Sequence, residues 1–341
     1  MLSSDPVKVI GVGSPIMDLL ALVPDAHLER VSGAKGGMEL VDHAVMREHL
    51  AQLPSPPQTA PGGSAANTVF ALAQLNMPAA FLGKIGQDEH AEAYLGEFQR
   101  HGGDNSRFKR AESHPTALCL SLITPDSQRT MRTFLGAAST MEPHEVTAQD
   151  FEGHGHAHIE GYLLFNRDLM YAVLDAAKAA GCTISLSLGS FEVVNAARDI
   201  LPEILENYVD MVFANEDEAR AFAGVDDLDE ALGHLGRHCR TVAITLGPDG
   251  ALLLHEGETH RAPAHPAEAV VDTTGAGDLW AAGFLFGLLN GHSLAAAAHC
   301  AAVLGSLAVQ RVGASLDEEA VAHAVDRMLA VVASDTAAAE V

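Results

Sequence analysis

Along most of the chain, short runs of aliphatic residues alternate with longer segments in which apolar side chains recur every three or four positions. The short runs are typical of buried β-strands, and the longer segments are typical of amphipathic helices. The runs predict strands at residues 7–12, 80–85, 183–188, 209–213, 242–245 and 251–254. The longer segments predict helices at residues 65–75, 89–101, 169–180, 216–223, 228–238, 276–289 and 294–309. This alternation predicts an α/β fold with a doubly wound, mainly parallel central sheet covered by helices on both faces.

Two stretches interrupt the alternation. Residues 116–123 and 129–135 are strand-like and flank a turn signal that contains Pro125 and Asp126, so they predict a β-hairpin. Residues 19–23 and 38–41 could add strands beside it. These segments predict a division of the chain into two domains. Residues 14–45 and 104–137 form a small, discontinuous β-rich lid, and residues 1–13, 46–103 and 138–341 form a large domain. Ligands of such a large domain bind beyond the carboxyl ends of its strands.

Composition narrows the classes of partner. The formal net charge is −25, whereas nucleic acids and anionic membranes attract clusters of Lys and Arg, so neither is expected as a partner. The longest apolar stretch, residues 294–309, contains His299 and Ser306 and is too short for a membrane span. Residues 7–13 resemble a strand rather than an export signal. We therefore expect a cytoplasmic protein that acts on a small molecule, as a monomer or a homodimer.

Cysteine and histidine suggest no metal site by their spacing. The four cysteines are far apart and form no Cys-x-x-Cys pair, so reduced thiols are expected. His154, His156 and His158 alternate at strand spacing without completing a recognisable ligand set. We interpret this segment as a solvated loop.

The strongest chemical signal is the run from Asp272 to Asp278, in which Gly275, Ala276 and Gly277 precede the last carboxylate and a helical segment follows. A turn of small residues at a helix start leaves backbone N–H groups free and lets an anion approach closely. A lone Asp in a first turn often only compensates the helix dipole. Here one site offers both a proton acceptor and an anion hole, which phosphoryl transfer to an alcohol requires.

Two further loops offer groups for a polyol. Gly62 and Gly63 precede a helix and allow close approach, and Asn67 lies one turn inside it. A glycine pair with a serine N-cap is also a common turn. Asp18 follows the first strand and can accept hydrogen bonds from vicinal hydroxyls. A dinucleotide fingerprint in this loop would need glycine where Ile16 stands, which disfavours an NAD-dependent dehydrogenase.

Two strand ends in the C-terminal half carry candidates for a nucleotide site. Asn215 and Glu218 follow one strand and could hold Mg²⁺ through water, and Thr245, Gly247 and Gly250 follow the next and could border ATP. Either group could also be an ordinary helix cap or β-turn. No Lys is followed by Ser or Thr, so the chain has no Walker A loop, and it has no protein-kinase catalytic loop.

Together these motifs resemble the ribokinase, or PfkB, family of carbohydrate and nucleoside kinases. The resemblance runs from about residue 7 to about residue 325. It includes both family signatures in the correct order, at residues 62–67 with 83–86 and at residues 272–278. One departure is Ser14, where many members of the family carry Asn.

The resemblance implies a role for each candidate residue. Asp278 would deprotonate the acceptor hydroxyl, and Gly275, Ala276 and Gly277 would form the anion hole. The position of Asp272 contributes to a monovalent-cation site in some members, so K⁺ is a candidate cofactor besides ATP and Mg²⁺. The resemblance further assigns Asn215 and Glu218 to Mg²⁺ and phosphate, Thr245, Gly247 and Gly250 to ATP, and Asp18, Gly62, Gly63 and Asn67 to the acceptor's hydroxyls.

Three segments, at residues 35–42, 129–137 and 160–164, resemble the bacterial adenosine-kinase-like branch of this family. Met38, Phe134 and Phe165 are apolar candidates to hold a purine, although each could instead belong to the core of the lid. The expected reaction is phosphorylation of the 5′-hydroxyl of adenosine. Ribose or fructose is the alternative acceptor. A non-catalytic ligand-binding module on the same fold is disfavoured by Asp278 and Glu218.

Overall fold

The computed structural model describes residues 6–31, 33–126 and 128–339. Its strands, in chain order, are β1 Val9–Val12, β2 Ile16–Leu22, β3 Met38–Leu40, β4 Gln58–Gly62, β5 Ala79–Leu82, β6 Lys84–Ile85, β7 Lys109–Arg110, β8 Ala117–Ile123, β9 Arg129–Phe134, β10 His156–Glu160, β11 Thr183–Ser187, β12 Met211–Asn215, β13 Thr241–Thr245, β14 Ala251–His255 and β15 Glu258–Ala262. Its helices are α1 Asp25–Leu28, α2 His43–Ala51, α3 Ser64–Gln74, α4 Glu89–Arg100, α5 Ala148–Phe151, α6 Arg167–Ala179, α7 Phe191–Ala196, α8 Leu201–Asn207, α9 Glu216–Ala223, α10 Leu228–Leu235, α11 Ala276–Leu289, α12 Leu294–Ala308 and α13 Glu318–Ala339.

The large sheet has the strand order β15-β14-β13-β12-β11-β10-β1-β5. The strands from β13 to β5 run parallel, and β14 and β15 are antiparallel additions at one edge. Alternate residues of a strand point to opposite faces, and here both faces are apolar. Val212 belongs to the core that the sheet forms with α5 to α10 on one face, whereas Phe213 belongs to the core formed with α3, α11, α12 and α13 on the other. The predicted doubly wound, mainly parallel sheet with helices on both faces is confirmed.

The interpretation of residues 154–158 as a solvated loop is wrong. β10 lies between β1 and β11, and His156 and His158 are completely buried in it. Hydroxyls of β11 bond both nitrogens of His156 and one of His158: His156 bonds Thr183 and Ser185, and His158 Nδ1 bonds Ser185, each at 2.8 Å. Burial lowers the pKa of both imidazoles to about 3, so they lie in the sheet uncharged. Partners about 27 residues away therefore allow a polar sequence to form a central strand.

The apolar segment at residues 294–309 forms α12, a helix packed mainly against α11 and α13. Its buried face contributes Cys300, Val303 and Leu304 to the core beneath the sheet. Throughout the described residues, no helix combines the length and the apolar character that crossing a bilayer would need.

The small sheet has the order β3-β9-β8-β2-β4. β4 comes from a segment that the sequence-based division places in the large domain. The two faces of the sheet differ in character. Leu19 and Leu120 lie on a face that packs against α2, α3 and α4. The strand register places Asp18, Cys119 and Arg129 together on the opposite face.

Candidate active site

A cavity of about 160 Å³ opens beyond the carboxyl ends of the parallel strands. β11, β12 and β13 end at residues that reach it, because the ends of parallel neighbours meet at one edge of the sheet. The starts of α3 and α11 also border the cavity. It is lined by Ser64, Ser187, Gly189, Phe213, Ala214, Asn215, Glu218, Thr245, Gly277, Asp278 and Trp280. Five predicted site residues therefore share one cavity, namely Asn215, Glu218, Thr245, Gly277 and Asp278.

The start of α3 holds the Asp278 carboxylate in place. Ser64 Oγ donates to Oδ1 and Asn67 Nδ2 donates to Oδ2, both at 2.8 Å. Thr68 Oγ1 donates to the Asp278 backbone carbonyl at 3.0 Å. Gly63 is the N-cap residue of this helix. Asn67, which the sequence suggested as a ligand of the acceptor, thus orients the candidate base through its amide nitrogen.

The environment of Asp278 makes its carboxylate more basic than a surface aspartate. Burial raises its pKa from 3.8 to about 6, and the hydrogen bonds from Asn67 and Ser64 limit the rise because they stabilise the charged form. At neutral pH the carboxylate is mainly ionised. A carboxylate with a pKa near the working pH is a suitable acceptor for a hydroxyl proton.

The loop before the base is shaped by two glycines with different roles. Gly275 has a φ of 74°, and a Cβ on it would lie 2.4 Å from a neighbouring side chain, so the position requires glycine. Gly277 lines the cavity, and a Cβ on it would meet no heavy atom within 4 Å. The Ala276 N–H donates to the Thr273 carbonyl at 3.2 Å and is therefore engaged within the loop. The dipole of α11 directs partial positive charge toward the cavity.

Asp18 lies on the face of the lid that is turned toward this loop. Its carboxylate packs against Gly62, where a Cβ would lie only 2.5 Å from Oδ2. Burial raises the pKa of Asp18 to about 7; the charge of Arg129 lowers it, and the charges of Asp278 and Asp272 raise it. Arg129, on the same lid face, pairs with Asp272 of this loop, so the face that carries Asp18 lies against the loop before the base.

Asn215 and Glu218 form a capping box at the start of α9. Asn215 Oδ1 accepts from the Glu218 N–H at 2.9 Å, and the Glu218 carboxylate accepts from the Asn215 N–H at 2.9 Å and from its Nδ2 at 2.8 Å. Burial is the main cause that raises the pKa of Glu218 to about 7, and the charge of Asp278 adds to it. The ordinary helix cap is therefore present, and its carboxylate also lines the cavity.

The cavity offers oxygen donors that fit a hydrated Mg²⁺. Glu218 and Asp278 place two mutually repelling carboxylates around one space, and oxygen is the ligand atom that Mg²⁺ prefers. Nowhere in the described part of the chain do three or more His, Cys, Asp or Glu side chains form a metal-binding cluster. A magnesium ion at this site would therefore complete its shell with water and with the phosphates of a nucleotide.

The other residues predicted for the ATP site lie at the turn between β13 and β14. Gly247 begins a short 3₁₀ turn after Thr245, and Gly250 ends it. Thr245 lines the cavity, whereas neither glycine does. Their predicted contact with ATP therefore stays a prediction.

The apolar residues predicted for a purine do not lie together. Met38 is half-exposed on β3, and its pairing with Met131 places it on the same lid face as Asp18. Phe134 is on the opposite face, where it stacks on His43 at 5.0 Å, so its position does not favour contact with a purine. Tyr162, which the sequence did not single out, contacts a residue that lines the cavity. Its hydroxyl donates to the Gly189 carbonyl at 3.2 Å.

Glu160 is a buried carboxylate next to the site that sequence reasoning missed. It ends β10, and its Oε1 accepts from the Ser14 N–H at 2.9 Å. Burial raises its pKa to about 7, the amides of Ser14 and Ala65 lower it, and the charge of Asp278 raises it. Its position at the carboxyl end of a central strand was the available signal, but the neighbouring histidines concealed the strand.

Comparisons of the sequence and of the structure with known proteins agree on one family. The model of the pfkB family carbohydrate kinases matches residues 40–320. An adenosine kinase from Saccharomyces cerevisiae is 27% identical over 338 residues, which cover 92% of this chain and 98% of that protein. The crystal structure of adenosine kinase from Sinorhizobium meliloti is similar with a TM-score of 0.84 and 32% identity, over 94% of this chain and 100% of that one. A "probable sugar kinase" from Rhizobium etli has the same TM-score at 28% identity, over 96% and 99% of the two chains.

Proposed function

The chain belongs to the pfkB family of carbohydrate kinases, and on that premise we propose that it transfers the γ-phosphoryl group of ATP to the 5′-hydroxyl of adenosine. The observation that carries this proposal is the placement of Asp278. Its carboxylate is fixed by Ser64 and Asn67 beside an open glycine at a helix start, in one cavity with Glu218. A proton acceptor and a site that can stabilise the negative charge of the transferred phosphoryl group thus lie together.

In the proposed reaction, Asp278 accepts the proton of the acceptor hydroxyl while the hydroxyl oxygen attacks the γ-phosphorus in line. The new O–P bond forms as the bond to the β,γ-bridging oxygen breaks, and ADP leaves with the electron pair of that bond. The open backbone at Gly277 and the dipole of α11 stabilise the negative charge on the transferred group. The proton on Asp278 then passes to solvent when the product leaves.

Asn215 and Glu218 are the residues that would hold Mg²⁺ through water. When bound, the ion neutralises negative charge on the β- and γ-phosphates of ATP. The capping box fixes both side chains, because each bonds the backbone of the other. This rigidity would position the coordinated water before the nucleotide arrives.

Adenosine is preferred over a free sugar for two reasons. The first is similarity, since both the yeast and the Sinorhizobium meliloti proteins are adenosine kinases. The second is half-exposed apolar surface: Met38 lies on the lid face that carries Asp18, and Tyr162 bonds Gly189 of the cavity. A base can cover such surface, and a bare sugar cannot. Similarity to a probable sugar kinase keeps ribose and fructose as the alternative acceptors.

A coupled ADP-release assay tests the choice of acceptor. Contact of a base with aromatic side chains is worth about 1–3 kcal/mol in single-strand binding proteins, so we expect kcat/KM for adenosine to exceed that for ribose or fructose by about ten- to a hundred-fold. All acceptors are compared at one ATP and one Mg²⁺ concentration. A clear preference for either sugar would contradict the adenosine proposal and would leave the kinase assignment intact.

The pH dependence should follow the ionisation of three buried carboxylates. The pKa of Asp278 is raised to about 6 and those of Asp18 and Glu218 to about 7, so lowering the pH through this range protonates the base, the acceptor ligand and the residue proposed for Mg²⁺. We expect kcat/KM for adenosine to be constant above about pH 8 and to fall progressively below pH 7. Asp18→Asn should leave a weaker enzyme whose activity still declines below about pH 7, because Glu218 and Asp278 still titrate. A flat profile from about pH 5 to pH 8 would show that none of these groups has to be ionised.

We also propose a cytoplasmic location, which the use of ATP and the presence of free cysteine thiols support. ATP is the phosphoryl donor of the proposed reaction. Cys119, Cys182, Cys239 and Cys300 are free thiols, as expected in a reducing compartment.

A further inference from the structure

The carboxylate of Asp272, at the start of the loop that ends in the base, accepts hydrogen bonds from the protein on both of its oxygens. Its Oδ1 accepts from the Thr274 N–H at 3.1 Å, and its Oδ2 accepts from the Gly313 N–H at 2.8 Å. The same Oδ2 pairs with the guanidinium of Arg129. One carboxylate thus joins three parts of the molecule: the loop before the base, the segment after α12, and the lid.

Arg129 reaches this carboxylate from the first position of β9 in the lid. The Arg129 and Asp272 side chains are only 9% and 8% exposed, so both charges have been removed from water. A desolvated pair is stable only when further hydrogen bonds satisfy it, and the Thr274 and Gly313 amides supply them. By contrast, the lid cation Lys35 forms its pairs at the surface, where its side chain is 34% exposed. The pair with Asp272 is therefore a buried ion pair supported by hydrogen bonds from the protein.

The monovalent cation that the family resemblance suggests at Asp272 does not fit this arrangement. An alkali-metal ion on the carboxylate would have to share it with three protein donors, one of them already positively charged. It would also lie beside the Arg129 guanidinium, and repulsion between like charges is strong where water is excluded. Asp272 already has its positive partner within the chain.

We propose that the guanidinium of Arg129 is the cation of this site. It supplies from the lid the positive charge that an alkali-metal ion would otherwise supply, so the enzyme needs neither K⁺ nor Na⁺. Arg129 acts on the catalytic loop through Asp272, whose other oxygen holds Thr274 directly before Gly275. Arg129 is therefore a positioning residue, and its effect on turnover rests on the kinase function proposed above.

The test compares KCl with tetramethylammonium chloride, whose cation is too large for such a site, at equal ionic strength. We expect the parent enzyme to keep the same melting temperature and the same kcat/KM for ATP in both salts. Arg129→Met should lose about 10²-fold in kcat/KM in tetramethylammonium chloride, similar to the loss of one charge-stabilising donor. KCl or guanidinium chloride should restore part of this activity, and K⁺ should raise the melting temperature of this variant alone.

Lys35→Met is the matched control, since it removes a lid cation whose ion pairs are at the surface. It should behave like the parent in both salts. A parent enzyme that loses activity without K⁺, or whose melting temperature rises with K⁺, would overturn the proposal. So would a folded Arg129→Met variant that responds to neither K⁺ nor guanidinium. The melting measurement needs no turnover. It therefore shows whether K⁺ binds the parent enzyme even if Arg129→Met does not fold or adenosine is not the acceptor.

Discussion

Asp278→Asn should lower turnover with adenosine by about 10²–10⁴-fold, the range that loss of a general base usually costs. Asparagine keeps the shape of the side chain but cannot accept the hydroxyl proton. Affinity for ATP should change little, because the open backbone at Gly277 and the helix dipole remain. The measurement is kcat by coupled ADP release together with the Kd of an ATP analogue.

The same variant has a second expected effect that excludes misfolding as the cause. A folded-state pKa of about 6 against an ordinary 3.8 means that the stability which Asp278 contributes is complete below about pH 4 and is lost as the pH rises through 6. Removing the charge should therefore stabilise the variant relative to the parent. The melting temperature of Asp278→Asn minus that of the parent should be larger at pH 8 than at pH 5. Asp168→Asn, an exposed carboxylate in the first turn of α6, is the matched control and should alter neither quantity. Turnover of Asp278→Asn within a few-fold of the parent would mean that another group is the base.

Asp18→Ala should raise the KM for adenosine by about 10²-fold or more. A hydrogen bond to a charged group is worth roughly 1.5–3 kcal/mol, and we propose that this carboxylate accepts two from vicinal hydroxyls of the acceptor. The KM for ATP should change little, because Asp18 lies on the lid and outside the residues that line the cavity. Steady-state kinetics with each substrate varied in turn separates the two effects.

Asp25→Ala provides the control for Asp18, because it removes an exposed carboxylate from the same lid. It should leave the KM of both substrates unchanged. If Asp18→Ala weakens adenosine and ATP equally, the residue is structural and the acceptor binds elsewhere.

The sequence predicted those parts of the fold whose signals are local. The helices at residues 216–223 and 276–289 have the predicted bounds, because the first follows a strand directly and the second follows a turn of small residues. The short helices α7 and α8 and the exposed edge strand β15 were not predicted, since five to seven residues carry too little periodicity. Strand β10 was missed because its histidines find their hydroxyl partners only after folding.

The site shows the same division between local and distant signals. Small residues before Asp278 revealed a candidate base and an anion-binding turn, because that chemistry is contained within one short segment. Its hydrogen-bond partners Ser64 and Asn67 lie more than 200 residues away, and no single-sequence pattern could pair them. The ion pair of Arg129 with Asp272 likewise spans 143 residues.

Phe134 shows how sensitive such reasoning is to strand register. Its position in the lid hairpin suggested a purine contact, but consecutive residues of a strand point to opposite faces. The register pairs Phe134 with Leu118 on the buried face, whereas Arg129 is on the face that carries Asp18. A shift by one residue would have reversed these roles, and only the pairing partners determine it.

The central claim, phosphoryl transfer from ATP to the 5′-hydroxyl of adenosine, is tested most directly by identifying the products. The enzyme is incubated with Mg²⁺, ATP and adenosine, and the reaction is followed by ³¹P NMR, with Asp278→Asn as the control. We predict that ADP and adenosine 5′-monophosphate appear in equal amounts with the parent enzyme and far more slowly with the variant. Formation of ADP with free phosphate only, or transfer to ribose or fructose but not to adenosine, would contradict the claim.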